Sequence, residues 1–600
     1  MASSLRSVYQ NKQAFYQAEV SRRERRLRQL VTGRITSALA FIAAFYGGFY
    51  YSIFFYTLPV FGALFLFLVQ HYGKELEAKN LAVRLCDLNA LELRALDFDF
   101  AGFDDGEHYR DEHHPFSYDL DLFGKGSLFQ YLNRTASLTG EAQLAHDLLH
   151  GKTDASEIHA RQQSVKELGA HLDLRQQLWA TGKETAWKNA DVTAMQQWLQ
   201  ESDWVRGSSK FFWLRWGLPA ITVPLLLYTF YRIFVHTDFS FLPVFIVAFS
   251  VQLTIVSLFG ARVTKIMLAL THYRDRLANY AKLFELFRTQ SFQTELLKKH
   301  VQLANDACAE VKKFALLVNR LESRMNPMAM SFGNGIFALD LHSVFALEEW
   351  RAKNGKHLPQ WLESLAEWDA LNSLAHVHYT NPEFAFPTFT KEFSLKADSL
   401  GHPLIAGSVR VNNNFVSNAA PQVMIITGAN MAGKSTFLRA VGVNFVLSLA
   451  GAPVCATRWE GPIAKLRSGM RTTDSLQDHQ SYFYAELARL QSIVKELQSG
   501  TPMLVLLDEI LKGTNSDDKQ AGSRELILQL IQLPALVLLA THDVVLGGMA
   551  QEKPTHIAAT CFESEIKNDG LHFDYRLKQG VAKTRNATFL MRQMGILPKQ

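Results

Sequence analysis

Cysteine is scarce: Cys86, Cys308, Cys455 and Cys561 are the only four in 600 residues, and no two form a C-x-x-C pair. That excludes a disulfide-stapled scaffold and a zinc ribbon, and the four read as reduced, mostly buried small hydrophobes. Strong net charge is also missing. A formal +5 at pH 7 is too mild to mark a nucleic-acid binder by itself. No repeat of roughly 20 to 50 residues is visible, which argues against a solenoid. The first apolar run is too long for a secretory signal, and no small-residue cleavage site follows it. His108, His113 and His114 lie among acidic residues at irregular spacing, so a solvated acidic loop is the reading, not a metal cluster.

Charge is missing locally in a more telling way. Residues 35–70, "ITSALAFIAAFYGGFYYSIFFYTLPVFGALFLFLVQ", contain no Asp, Glu, Lys or Arg. One membrane span needs about 20 residues and two need about 40, so the run predicts a tight helical hairpin turning near Gly47-Gly48 and Tyr50 to Ser52. Residues 216–231 and 241–260 form a second apolar pair around "RIFVHTDFS", with Trp213, Trp216, Tyr228 and Tyr231 near the ends as interfacial aromatics. Arg6, Lys12, Arg22, Arg23, Arg25, Arg26, Arg28 and Arg34 precede the first pair, whereas the two hairpin turns hold only Arg232. The positive-inside rule then places both termini in the cytoplasm, in an integral protein of the cytoplasmic (inner) membrane. The expected organisation is a basic arm (1–34), a first transmembrane hairpin (35–72) and a helical core (80–210). A second hairpin (211–262), a helical lever (265–400) and an α/β domain (401–600) follow. Helical periodicity predicts long amphipathic helix over residues 265–330.

Chemistry is concentrated after residue 420. An apolar run at 422–427 reads as a buried strand, and Gly428-Ala-Asn-Met-Ala-Gly433-Lys434-Ser435 fits G-x-x-x-x-G-K-[ST] at the start of a helix ending at Gly451. Glycines let backbone N–H groups face phosphate oxygens, and the helix N-terminus adds positive potential. Lys434 would neutralise the β- and γ-phosphates of ATP and Ser435 would ligate Mg²⁺, with Asn430 and Thr436 completing the loop's nucleotide contacts. A second apolar run ends in Asp508-Glu509, suited to hold Mg²⁺ and to polarise the attacking water. A third ends in Thr541-His542-Asp543, which makes His542 a γ-phosphate sensor at the same sheet edge. "CFESEIKNDGLHFDYRL" predicts a β-hairpin turning at Asn568-Asp569-Gly570. The fold class is therefore an α/β P-loop NTPase domain behind an all-α core and two transmembrane hairpins.

The stretch "DEILKGTNSDDKQAG" makes the reading more specific. With Asp508, Glu509, Gly513, Thr514, Asn515, Ser516 and Asp518 it resembles the ATPase domain of the MutS family. "TTDSLQDHQSYFYAEL" resembles that family's middle motif through Asp474, Leu476, Ser481, Phe483 and Glu486. "HPLI" at 402–405, residues 127–149 and residues 160–168 resemble the opening of the ATPase domain and parts of the helical core. The resemblance implies a homodimer in which Asn515 and Ser516 complete the partner's ATP site. It also implies DNA binding and a mismatch-repair role. Three departures stand out. Only 34 residues precede the first apolar run, too few for a domain carrying the mismatch-reading Phe-x-Glu wedge. No nuclease domain is expected after the ATPase. Asn515-Ser516 stands where many relatives show Ser-Thr.

The expectation is a membrane-anchored ATPase that dimerises, couples ATP to DNA and signals to a protein partner, with wedge-type mismatch recognition not expected. The alternative is an ABC-type transporter. The L-S-G-G-Q signature is absent, however, and the apolar runs hold few polar residues to line a path.

Overall fold

Three uninterrupted apolar runs become adjacent parallel strands, Gln422–Gly428, Ala535–Thr541 and Met503–Asp508. Strands buried on both faces need apolar residues at every position, which is why no alternation shows in these segments. The structure is a computed structural model and describes residues 2–183, 192–271, 273–417, 419, 422–471, 482–512, 515–567 and 570–583. The chain divides into two units. One comprises Met1–Thr135, Glu141–Arg175 and Asp369–Gln600, the other Ala136–Gly140 and Gln176–Trp368.

In the first unit the strand order is Gly570–Gln579, Ile557–Lys567, Gln422–Gly428, Ala535–Thr541, Met503–Asp508, Lys465–Gly469. All pairs are parallel except the first, an antiparallel hairpin whose predicted turn at 568–569 lies outside the described residues. Register pairs Thr427 with Thr541 and Asp508 with Ala540, so the carboxyl ends of the three apolar strands share one sheet edge. A smaller mixed sheet, order Thr388–Phe389, Arg458–Gly461, Lys396–Leu400, Asn413–Val416, was not foreseen, because its strands are short and polar.

Helix Lys434–Ala450 packs on the main sheet at Gly442, where a Cβ would come within 2.6 Å of Leu120 and 2.8 Å of Leu506. Its last carbonyls are met by a cation: Arg161, fully buried, donates from Nε to the Ala450 carbonyl at 3.0 Å and pairs with buried Asp147. A second buried ion pair, Arg134 with Glu92 at 2.7 Å, has His376 3.4 Å from the same carboxylate. Burial, reinforced by Arg134 and Arg175, pushes His376 well below its ordinary range, so it is neutral at pH 7.

The first apolar run is a helical hairpin, Ala2–Gly48 and Leu58–Ala95, closed by a short 3₁₀ turn at Ser52–Thr57. Residues 2–34, expected as an arm, are helical and continuous with the apolar segment. Arg23 pairs with Glu75 at 2.9 Å and Lys79 with Glu24 at 3.1 Å, zipping the polar halves of the two helices together.

In the second unit, Ser209–His236 and Leu242–Ser257 form the other hairpin, and a 59° bend leads from the latter into Gly260–Thr271. Among the described residues, three helices are long and apolar enough to cross a membrane, or four if the bent pair counts as one span. The continuous helix predicted over 265–330 is instead Gly260–Thr271, Arg274–Arg288 and Glu295–Glu322, then a short helix Pro327–Phe337. Periodicity alone misses such breaks, because each piece keeps an apolar face. Phe314 stacks between Trp198 and Trp350, with ring centroids 5.6 and 4.1 Å apart, and forms the core of this unit.

The acidic loop before residue 121 is held to the main sheet chiefly by one buried carboxylate, beside the Ser468 N–H bond to the Pro115 carbonyl at 3.0 Å. Asp119 is fully buried and accepts from Ser468 Oγ at 2.7 Å, the Met470 and Arg471 N–H groups at 3.0 Å, and Arg489 at 2.8 Å. Asp119→Ala strands these donors, Arg489 among them, and should destabilise this unit by about 3 kcal/mol. Chemical denaturation of the purified protein checks this, and a change below about 1 kcal/mol would show that water replaces the carboxylate.

Candidate functional site

The strand Gln422–Gly428 delivers its chain into a loop that only glycine can close. A Cβ at Gly428 would sit 2.7 Å from the Phe562 carbonyl oxygen, and Gly433, at φ +105°, starts helix Lys434–Ala450. Met431 holds the loop's tip at φ +68°, its side chain exposed. Lys434 turns back over the loop and donates from Nζ to the Gly428 and Ala429 carbonyls at 2.8 and 3.0 Å. Burial lowers the pKa of this ammonium, opposed by Glu509 and Asp508.

Ser435 and Asp508 meet across two elements: Ser435 Oγ donates to Asp508 Oδ2 at 2.5 Å. Burial raises the Asp508 pKa, and the Ser435 hydroxyl works against that shift. Glu509 follows at φ +50°, its N–H bonded to the Ala540 carbonyl at 2.9 Å. A non-glycine residue in the left-handed region is a strained placement that its surroundings enforce. Its carboxylate lies 3.5 Å from His542 Nδ1 and 3.9 Å from Lys512 Nζ.

A cavity of about 640 Å³ opens over this group. Its lining includes Asn430, Gly433, Lys434, Ser435, Thr436, Asp508 and Glu509. Its far wall comes from Leu400 to Asn413 together with Phe562 and Tyr575, and of these the sequence flagged only residues 402–405. Asn413 links the small sheet to the edge hairpin, donating to the Tyr575 carbonyl at 3.0 Å and accepting from Leu577 N–H at 2.7 Å. Burial pushes His402 down to about 4, so this wall carries a neutral imidazole.

His542 lies outside that lining and reaches the group through Glu509. Asn515 also lies outside it, as the exposed N-cap of helix Ser516–Leu530, whose first residue is Ser516. Gly513 and Thr514, like Asp474, Leu476 and Ser481 of the middle motif, fall outside the described residues. Glu486 takes a part that the sequence did not reveal. Its carboxylate accepts from the Leu511 N–H at 2.6 Å and the Lys512 N–H at 3.2 Å, fixing the loop that follows Asp508-Glu509. A glutamate at helical spacing carries no mark of such a distant backbone partner. Outside that lining, His108 comes near Asp104 and Glu141, whereas His113 and His114 are not part of that group.

Residues 424–600 match the family model described as MutS domain V. The chain is similar to the DNA mismatch repair protein MSH4 of Arabidopsis thaliana, 27% identical over 236 residues, 38% of this chain and 29% of that protein. It is 31% identical over 232 residues to the DNA mismatch repair protein MutS of Thermotoga maritima, covering 37% and 28% of the two chains. Against the same-named protein of Thermus caldophilus it is 31% identical over 261 residues, 42% of this chain and 30% of that one. The chain therefore spans less than a third of the length of these curated relatives.

Glu486→Ala should free the Leu511 and Lys512 amides without unfolding the sheet. Hydrogen exchange in a peptide spanning residues 509–519 should quicken by roughly tenfold or more, the equivalent of about 1.4 kcal/mol. Unchanged protection there would show that the carboxylate does not hold the loop.

Proposed function

We propose that this chain, which belongs to the MutS family through its residues 424–600, is a membrane-anchored ATPase that works as a symmetric homodimer and couples ATP to DNA. The observation that carries the reading is the Ser435–Asp508 contact at 2.5 Å directly behind the Gly433-Lys434 turn. A hydroxyl and a carboxylate at that separation are hard oxygen donors suited to Mg²⁺. When bound, such an ion would neutralise phosphate charge there, held by Ser435 and Asp508.

The chain's own residues supply the rest. Lys434 exchanges loop carbonyls for phosphate oxygens, keeping its charge compensated. Glu509, held in a fixed backbone pose, orients the attacking water and takes its proton. His542, in contact with Glu509, reports whether the γ-phosphate is present. The wall from Leu400 to Asn413 with Tyr575 has the size and mixed polarity to hold a nucleoside. The exposed N-cap Asn515 of helix Ser516–Leu530 lies outside the lining of its own cavity, which supports Asn515 and its neighbour Ser516 serving the partner's γ-phosphate.

The apolar hairpins support anchoring in a cytoplasmic membrane, with the lysine- and arginine-rich ends and the ATPase on the cytoplasmic side. DNA is proposed from the mismatch-repair relatives alone. No observation favours the ABC-transporter alternative.

In detergent, Glu509→Gln should still bind ATP yet turn it over about 10²–10⁴-fold more slowly, because the water's proton acceptor is gone while Ser435 and Asp508 survive. Wild-type turnover in this variant would overturn the role of Glu509. In the same assay, wild-type rates unmoved by duplex, branched and single-stranded DNA would remove the DNA part.

Subunit exchange tests the shared site. Lys434→Ala and Ser516→Arg are each expected to be inactive. Mixed at equal ratio, half the dimers are heterodimers with both lesions in one site and one intact site of two. Recovery should be about a quarter of the wild-type rate. A mixture as inactive as its parents, with exchange shown by pull-down, would exclude sites completed in trans.

A further inference from the structure

Between helices Glu295–Glu322 and Leu339–Asn354, residues 325–339 ("MNPMAMSFGNGIFAL") contain no charged side chain. The stretch is too short to span a bilayer and was not flagged by apolar length. Within it lies helix Pro327–Phe337, capped by Asn326, whose side chain accepts from the Met328 and Ala329 N–H groups. Most of its surface is bare: Met328 is 69%, Phe332 55% and Phe337 51% exposed, and within the helix only Asn334 and Gly335 are buried. Scattered apolar residues on a surface need no explanation, but an uncharged helix exposed around most of its circumference does.

The inner face of this helix packs on the second apolar hairpin. Gly335 allows the approach, since a Cβ there would lie 2.3 Å from the Phe249 ring. Gln252 donates to the Asn334 carbonyl at 2.8 Å and Thr222 to the Ile336 carbonyl at 2.9 Å. These are last-turn carbonyls, which in water would bind solvent. Span side chains reach both, as backbone inside hydrocarbon requires, and the Ala338 N–H adds a bond to the Asn334 carbonyl at 3.2 Å.

The neck of the stretch is charged. Arg324 and Asp340 flank the 15 uncharged residues and pair at 3.0 Å. Arg324 also donates to the Gly260 carbonyl at 3.0 Å and to Thr264 at 2.6 Å, at the bend where the second span ends. Depth follows from counting along the two spans. Thr222 lies six residues beyond Trp216 and Gln252 eight before Gly260, about 9 and 12 Å at the helical rise. Both counts put the far end of the short helix roughly 10 Å inside a hydrocarbon core about 30 Å thick. The charged neck then sits at the membrane interface.

We propose that Pro327–Phe337 is a re-entrant helix embedded in the bilayer, its exposed Met328, Phe332 and Phe337 meeting lipid acyl chains. This rests on the reading of Ser209–His236 and Leu242–Ser257 as membrane-spanning. Phe332 packs beside Phe249 of the span, with ring centroids 6.0 Å apart, and no charged residue lies between Met325 and Leu339, which selects lipid as the occupant over a soluble partner. The 28-residue helix Glu295–Glu322 thereby runs directly into an element held in the membrane.

The test uses the full chain with its four native cysteines replaced and one cysteine carrying an environment-sensitive fluorophore, reconstituted in phosphatidylcholine–phosphatidylglycerol vesicles. Lipids bearing a nitroxide high or low on the acyl chain serve as quenchers. Phe332→Cys, with Met328→Cys as an independent second site, should lose fluorescence mainly to the shallow quencher. Leu227→Cys in the first span should lose it mainly to the deep quencher, and Lys299→Cys to neither. Quenching at Leu227 with silence at both Phe332 and Met328 would overturn this inference alone. Blue-shifted but unquenched emission at those two sites would assign the face to a second copy, and water-like emission to solvent. Silence at Leu227 would overturn the spanning reading beneath it.

Discussion

Hydrogen-bond register between three apolar strands is the constraint on which the candidate site depends. Because Thr427 pairs with Thr541 and Asp508 with Ala540, residues more than a hundred positions apart in sequence leave the sheet at one edge. A slip of one residue would turn the strand-end side chains to the opposite face of the sheet. With the register fixed, Ser435 reaches Asp508, and Glu509 reaches His542, without any rearrangement of the loops.

Around that edge, buried charges do the positioning. Glu486 grips the backbone just after Glu509, and one helical turn on, Arg489 reaches Asp119 of the acidic loop. The backbone carbonyl of that same Asp119 accepts from Arg439 of helix Lys434–Ala450. The loop, the phosphate-type turn and the strand-end carboxylates thus share one set of hydrogen bonds in a low-dielectric setting. Such networks are stiff when complete and costly when broken. Movement at the site would therefore be felt in the residues leading to the acidic loop.

The apolar hairpins are ordinary by length and composition, yet each is bound to polar helix in a specific way. The first is extended by ion-paired helix on its polar side. The second receives a short helix whose carbonyls it satisfies with Gln252 and Thr222. Proline supports this arrangement: Pro219 lacks the N–H that would bond the Arg215 carbonyl, and His342 lies 3.0 Å from that oxygen.

Much of this was legible in the sequence. Uninterrupted apolar runs marked the parallel strands, Gly428 through Ser435 marked the turn, and the 36 uncharged residues marked the first hairpin. Those features are local: a strand buried on both faces, a backbone with φ beyond +20°, or a long uncharged helix each restricts residue type at its own position. What the sequence left open is every contact that depends on distant partners. The acceptor role of Glu486, the four donors of Asp119 and the wall from Leu400 to Asn413 have no local signature, because a carboxylate on a helix looks the same whether it faces water or a remote backbone amide. Pro327–Phe337 was invisible for the same reason. Its 11 residues acquire meaning only when Arg324 and Asp340 close beneath them and the second hairpin takes up their carbonyls, and chain folding alone brings those groups together.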